Sequence, residues 1–182
     1  MRRILAGQIL LILCCAFYLV WWSRGYRPGV SADRFGGMNG ILFRITFVSG
    51  IAGLACSLGR IEEKRMTAMN GTLIAVIGVL AYFALMLVTR YAFGRIVTTE
   101  LLLIVGWTAL EVTVINRLYG AEILSAGEFA VMCAVIAAAF AVSIVLYVAY
   151  YRMEAMKAFY AAMVPLVTEA VAMAVLTGIM IL

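Results

Sequence analysis

The sequence predicts an all-α polytopic membrane protein, a compact bundle of six transmembrane helices joined by short loops. The 182-residue chain is 66% hydrophobic, with a mean hydropathy of +1.11. A soluble domain is about 45–50% apolar and about 25% charged, whereas here only 13% of residues carry charge. There is too little polar surface to coat a globule in water, so lipid must solvate much of the chain. The apolar residues also gather into separate runs, each near the ~20 residues a helix needs to cross a bilayer. These runs do not alternate apolar with polar residues, which argues against a membrane β-barrel. Helix is then the default, because each backbone group in lipid must find its partner within its own segment.

The first span is expected at Ile4–Trp22 (residues 4–22), behind Arg2 and Arg3. It is longer than the ~7–15 residues of a signal-peptide core, and no small-residue cleavage site follows, so it reads as a retained span. The second is expected at Ile41–Leu58 (41–58) and the third at Gly71–Thr89 (71–89). The fourth is expected at Leu101–Tyr119 (101–119), the fifth at Glu128–Tyr151 (128–151) and the sixth at Ala158–Leu182 (158–182). Together they form a single integral membrane domain over residues 1–182. Aromatic residues mark several ends independently of hydropathy: Tyr18, Trp21, Trp22 and Tyr26 close the first span, Tyr91 and Phe93 follow the third, Tyr147, Tyr150 and Tyr151 close the fifth, and Phe159 and Tyr160 open the sixth.

The longest connection, Ser23–Gly40, contains Pro28, Gly29, Gly36 and Gly37 and reads as a turn-rich loop. Its glycines do not match G-x-G-x-x-G and no strand precedes them, so it is not a nucleotide cradle. The connector around Arg60, Glu62, Glu63, Lys64 and Arg65 reads as solvated. Asn70 begins an N-G-T sequon, but its place directly before a span makes it a helix cap. Laying residues 1–92 on 93–182 superposes the first three spans on the last three, a weak 3+3 inverted repeat of the kind transporters use. Residue identity along that shift is no better than chance. Basic residues divide almost evenly between the two sides, so the positive-inside rule does not orient the chain.

The net charge of +5 comes with a pI near 9.2. In a membrane protein such basic groups meet lipid phosphate or set orientation, and no nucleic-acid fold signature accompanies them. Nucleic acid is not an expected partner. Histidine is absent, and the four cysteines Cys14, Cys15, Cys56 and Cys133 lie inside apolar runs without metal or redox spacing. No cofactor, metal site or catalytic residue is expected. Without H-E-x-x-H, C-x-x-C or a nucleophile beside a base, an enzyme is not expected either.

Two carboxyls stand out. Glu111 lies near the centre of the fourth span and Glu169 near the centre of the sixth, parallel spans in a six-crossing chain. An ionised side chain at the bilayer centre costs about 2.5–3.5 kcal/mol on insertion scales. Two such groups in a shared cavity could bind a cation or relay a proton. The blander reading has each hydrogen-bond a neighbouring helix, with Thr108, Thr113 and Thr168 as nearby partners. Pro165, one turn before Glu169, is expected to free a carbonyl and kink the helix. Glu100, on the same face as Glu111, is an expected entrance group at the membrane surface. Arg44 is a candidate partner for an intramembrane carboxyl or, more simply, a snorkelling headgroup contact. Ser49, Gly53 and Ser57, then Ala130, Ala134 and Ala138, then Ala170, Ala174 and Gly178, repeat small residues every four positions. Such stripes predict close helix packing or a subunit interface.

The functional expectation is a multi-pass transporter or channel of the cell (plasma) membrane. It would carry a small solute or cation, coupled to protons through the two midplane carboxyls, and would act as a homo-oligomer or with a partner membrane subunit. The alternative is a non-catalytic membrane subunit or assembly partner of a larger complex.

Overall fold

The computed structural model describes residues 1–30, 33–59, 69–94 and 98–181. Those residues are all-helical, and six helical stretches are long and apolar enough to cross a membrane. They are α1 (Arg2–Gly25), α2 (Gly37–Ser57), α3 (Gly71–Phe93), α4 (Thr98–Gly120), α5 (Ala126–Ala149), and a last stretch made of two helices, α6 (Ala155–Ala161) and α7 (Val164–Ile181). The charged connector from Arg60 to Arg65 lies outside the described residues, as do the side chains of Phe93 and Tyr151.

Most helices outrun the spans expected from hydropathy, because local terminators and not the edge of the apolar run stop them. α1 continues past Trp22 to Gly25, with Arg24 at the negative end of the helix dipole. Tyr26 then closes the last turn by donating its N–H to the Trp22 carbonyl at 3.0 Å. α2 starts ahead of Ile41, where Asp33 Oδ1 accepts from the backbone N–H groups of Phe35 and Gly36, both at 3.0 Å. Asn70 does cap α3, its side chain accepting from Leu73 N at 2.8 Å. α3 runs past Thr89 until Gly94, which takes the left-handed conformation at φ +64° and donates to the Arg90 carbonyl. That conformation costs a residue with a Cβ far more than glycine. α5 starts before Glu128 because Ser125 and Glu128 cap each other. Ser125 N donates to Glu128 Oε2 at 2.7 Å, and Glu128 N donates to Ser125 Oγ at 3.3 Å, a reciprocal capping box. At its far end α5 stops at Ala149, short of the expected Tyr151, and tightens into a 3₁₀ turn over Tyr150–Arg152.

The chain divides into two compact units. The first comprises Met1–Arg60 and Ala149–Leu182, holding α1, α2, α6 and α7. Here α1 and α2 form an antiparallel hairpin along the small-residue face of α2. Thr46, Ser49, Gly53 and Ser57 are buried, while Phe47, Val48 and Ile51 on the same helix are more than half exposed. Small residues let two backbones approach, and the bulky apolar ones are left for lipid. The hairpin register is set by Gly7 against Ser57, Leu11 against Gly53, and Cys14 against Gly50 and Thr46. Its loop end is closed by an aromatic cluster around Trp21, whose ring lies 5.2–6.0 Å from those of Tyr18, Tyr26, Phe35 and Phe43. The Trp21 indole N–H donates to the Arg34 carbonyl at 2.8 Å. α1 also packs on α7.

The second unit, Ile61–Val148, holds α3, α4 and α5. α4 is its core helix: 56% of its apolar window is buried, against 6% for α3. α3 packs on α4. Gly78 sits where an added Cβ would touch Ala109 Cβ at 3.4 Å. Asn116 Nδ2 donates to the Met69 carbonyl at 2.6 Å, fixing the chain just ahead of α3. The turn into α5 brings the Tyr119 and Phe129 rings into a stack at 4.7 Å.

Two of the three small-residue stripes do not lie on the buried faces. On α5 the buried side is Met132, Ile136, Ala139, Ser143 and Tyr147, and Ala130, Ala134 and Ala138 are exposed. On α7 it is Glu169, Ala172, Met173, Leu176 and Met180, while Ala174 is exposed and no neighbour approaches the position of a Gly178 Cβ. Small residues permit close approach without requiring it. In these two helices the inward faces mix large and small residues, with Ala139 among Met132, Ile136 and Tyr147 on α5 and Ala172 among Met173, Leu176 and Met180 on α7.

Candidate functional site

Glu111 is carried by the most buried helix of the chain. It is 1% exposed, and its α4 neighbours Leu110, Val114 and Ile115 are buried with it. The adjacent hydroxyls are turned to their own backbone: Thr108 Oγ1 donates to the Ile104 carbonyl at 2.8 Å and Thr113 Oγ1 to the Ala109 carbonyl at 2.7 Å. A hydroxyl whose proton is used in this way still has lone pairs with which to accept. One turn before Glu111, the Trp107 indole N–H is buried without a hydrogen-bond partner among the described residues. The hydroxyl of Ser143, on the buried face of α5, is in the same condition. Buried polar atoms are nearly always satisfied, so such exceptions mark where water, an ion or a solute can bind. Neither group stands out by residue type in an apolar span, although a tryptophan one helical turn from Glu111 is visible in W-T-A-L-E.

Glu169 is 6% exposed, on the buried face of α7. The helix behind it is interrupted, not merely bent. α6 ends at Ala161, Ala162 and Met163 form a turn, and α7 restarts at Val164. Proline lacks an N–H, so Pro165 cannot bond the Ala161 carbonyl, and its ring crowds that oxygen. The ladder resets around the gap: Met163 N donates three residues back to Tyr160 O at 3.1 Å, and Val167 N donates to Met163 O at 3.2 Å. Pro165 thereby occupies the first turn of α7, where its missing N–H costs least. Glu169 stands one turn further along. Thr168 donates its hydroxyl to the Val164 carbonyl at 2.9 Å.

The other candidate side chains are less buried. Glu100 lies half-buried in the first turn of α4, where the positive end of the helix dipole favours a carboxylate. Arg44 is exposed on α2, off the face formed by Thr46, Ser49 and Gly53. Glu100 and Glu111 share α4, and Pro165 and Glu169 share α7, while Glu111 and Glu169 belong to different compact units. Among the described residues, no group of three histidine, cysteine or acidic side chains is arranged to hold a metal ion. The four cysteines are free thiols, and Cys14 Sγ lies 3.3 Å from the Thr46 carbonyl as a weak donor.

No protein family matches this chain, and neither does any curated protein or any solved structure.

Proposed function

We propose that this chain is a small multi-pass transporter or channel of the cell membrane. In this reading Glu111 and Glu169 take up and release a proton or a small cation as solute crosses. The observation that carries it is the burial of the Glu111 carboxyl, 1% exposed, in the core helix of its unit. A carboxyl in such a place is far cheaper to hold as the neutral acid or against a cation than as a bare anion. The unpartnered Trp107 and Ser143 groups of the same unit supply further polar contacts for a passing solute. The break before Glu169 supports the same reading, because interrupted spans expose backbone carbonyls and helix ends where transporters bind ions.

A second reading, a non-catalytic subunit of a larger membrane complex, rests on a different observation. Ala130, Ala134 and Ala138 form an exposed stripe on α5, the surface on which a helix of another chain could pack closely.

Reconstituted liposomes separate the two. With a pH-sensitive dye inside and an imposed potassium potential, the wild-type chain is expected to pass protons or to couple them to cation movement. Glu111→Gln and Glu169→Gln should each lower that flux by roughly tenfold or more, as expected for intramembrane carboxyls in a proton path. Full flux in both variants would overturn the carboxyl mechanism. No flux in the wild type, together with a stable heteromeric complex on affinity purification, would favour the subunit.

A further inference from the structure

The loop end of the α1–α2 hairpin holds a feature that the carboxyl reading does not use. Ser23, Arg24, Arg27, Val30 and Asn39 line an open cleft of about 300 Å³. Asn39 is 8% exposed and both ends of its amide are engaged. Its Oδ1 accepts from Arg24 Nε at 3.0 Å, and its Nδ2 donates to the Asp33 carbonyl at 2.7 Å. Asn39 thus grips Arg24 by the Nε edge, and the two terminal nitrogens of that guanidinium have no partner among the described residues. The Arg27 side chain has neither a hydrogen bond nor an ion pair with any of them; only its backbone carbonyl is engaged, accepting from Val30 N at 3.2 Å. In the same α1–α2 connection, the Arg34 guanidinium lies 4.4 Å from the centre of the Tyr26 ring. The loop's carboxylate, Asp33, has its Oδ1 committed to the Phe35 and Gly36 amides. This end of the hairpin carries three arginines, Arg24, Arg27 and Arg34, against one aspartate, and two of the arginines line the cleft.

Guanidinium groups offer planar, paired donors that match the oxygens of a phosphate group. Depth narrows the choice of anion. Trp21, Trp22, Tyr26, Phe35 and Phe43 cluster at this end of the hairpin, and such aromatic belts sit at the level of the lipid headgroups. The abundant anion at that level is phosphate. We propose that this cleft is a phosphate-binding site, in which Arg24, held by Asn39, and Arg27 bind the oxygens of a phosphate-bearing anion. The site lies wholly within the first unit and does not depend on what Glu111 and Glu169 do.

The test uses the full chain in a non-ionic detergent, titrated separately with short-chain phosphatidylglycerol and with inorganic phosphate while binding is followed by thermophoresis. At least one probe is expected to bind. Arg27→Gln should weaken that binding by about tenfold or more, the scale of a lost charge-assisted hydrogen bond. The Arg27 side chain has no hydrogen bond or ion pair among the described residues to lose, and its backbone bond to Val30 is kept, so the variant should fold normally. Arg24→Gln should weaken binding to a similar extent. Arg90→Gln, at an exposed position in the last turn of α3, makes the same change in net charge and should stay within about twofold of the wild type. Binding of the lipid alone would identify a headgroup as the ligand, and equal binding of inorganic phosphate a small anion; either supports the site. Binding of neither probe, unchanged affinity in Arg27→Gln, or an equal loss in Arg90→Gln would overturn it.

Discussion

Gly7 of α1 lies so close to Ser57 of α2 that a Cβ built on Gly7 would stand 2.6 Å from the Ser57 backbone nitrogen and 2.9 Å from the Gly53 carbonyl oxygen. Both obstacles are backbone, so no rotamer change relieves them. Gly7→Ala is expected to force the hairpin apart and to cost about 1–3 kcal/mol, the range for overpacking a tight contact. Gly106→Ala is the control. Nothing lies near that position in α4, and replacing a helical glycine by alanine gains roughly 0.5–1 kcal/mol. Thermal unfolding of the two variants in detergent should therefore shift in opposite directions.

Asn70 closes the first turn of α3 through one hydrogen bond to Leu73 N. Asn70→Ala should cost about 1 kcal/mol, and Asn70→Asp, which keeps the accepting oxygen, much less. Hydrogen exchange at the Leu73 amide gives the local readout: it should quicken in the alanine variant and remain near wild type in the aspartate variant.

Pro165 separates α6 from α7 and sits one turn before Glu169. Pro165→Ala restores an N–H that can reach the Ala161 carbonyl, and it removes a residue that costs ~3 kcal/mol in a helix interior. The variant should unfold at the wild-type temperature or above. If the break shapes the surroundings of Glu169, liposome flux should fall even though stability does not. Unchanged flux in a stable variant would assign the break to chain geometry alone.

Ser125 and Glu128 hold the start of α5 by reciprocal bonds. Ser125→Ala should fray that turn, seen as faster exchange at the Glu128 amide, and Ser125→Thr should preserve it because threonine also caps through its hydroxyl.

Much of this protein follows from its sequence. Lipid fixes the length a span must have and forbids unpaired backbone, so hydropathy alone placed six helices and their order. The Asn70 cap was equally legible, since a cap depends on residues within one turn of each other. The S-x-x-E box at Ser125 and Glu128 was written there too and needed only to be read. What the tertiary structure decided is which side of each helix turns inward. Spans that face lipid are apolar all round, so no contrast between a wet and a dry side marks the core, and a small-residue stripe permits contact without demanding it. Gly53 and Ser57 meet Gly7 of α1 and, with Ser49, are buried; Ala130, Ala134 and Ala138 are exposed. The arginine cleft was hidden for the same reason. It forms only when Asn39 at the start of α2 closes on Arg24 at the end of α1, a meeting set by how two helices pack and not by the residues of either one.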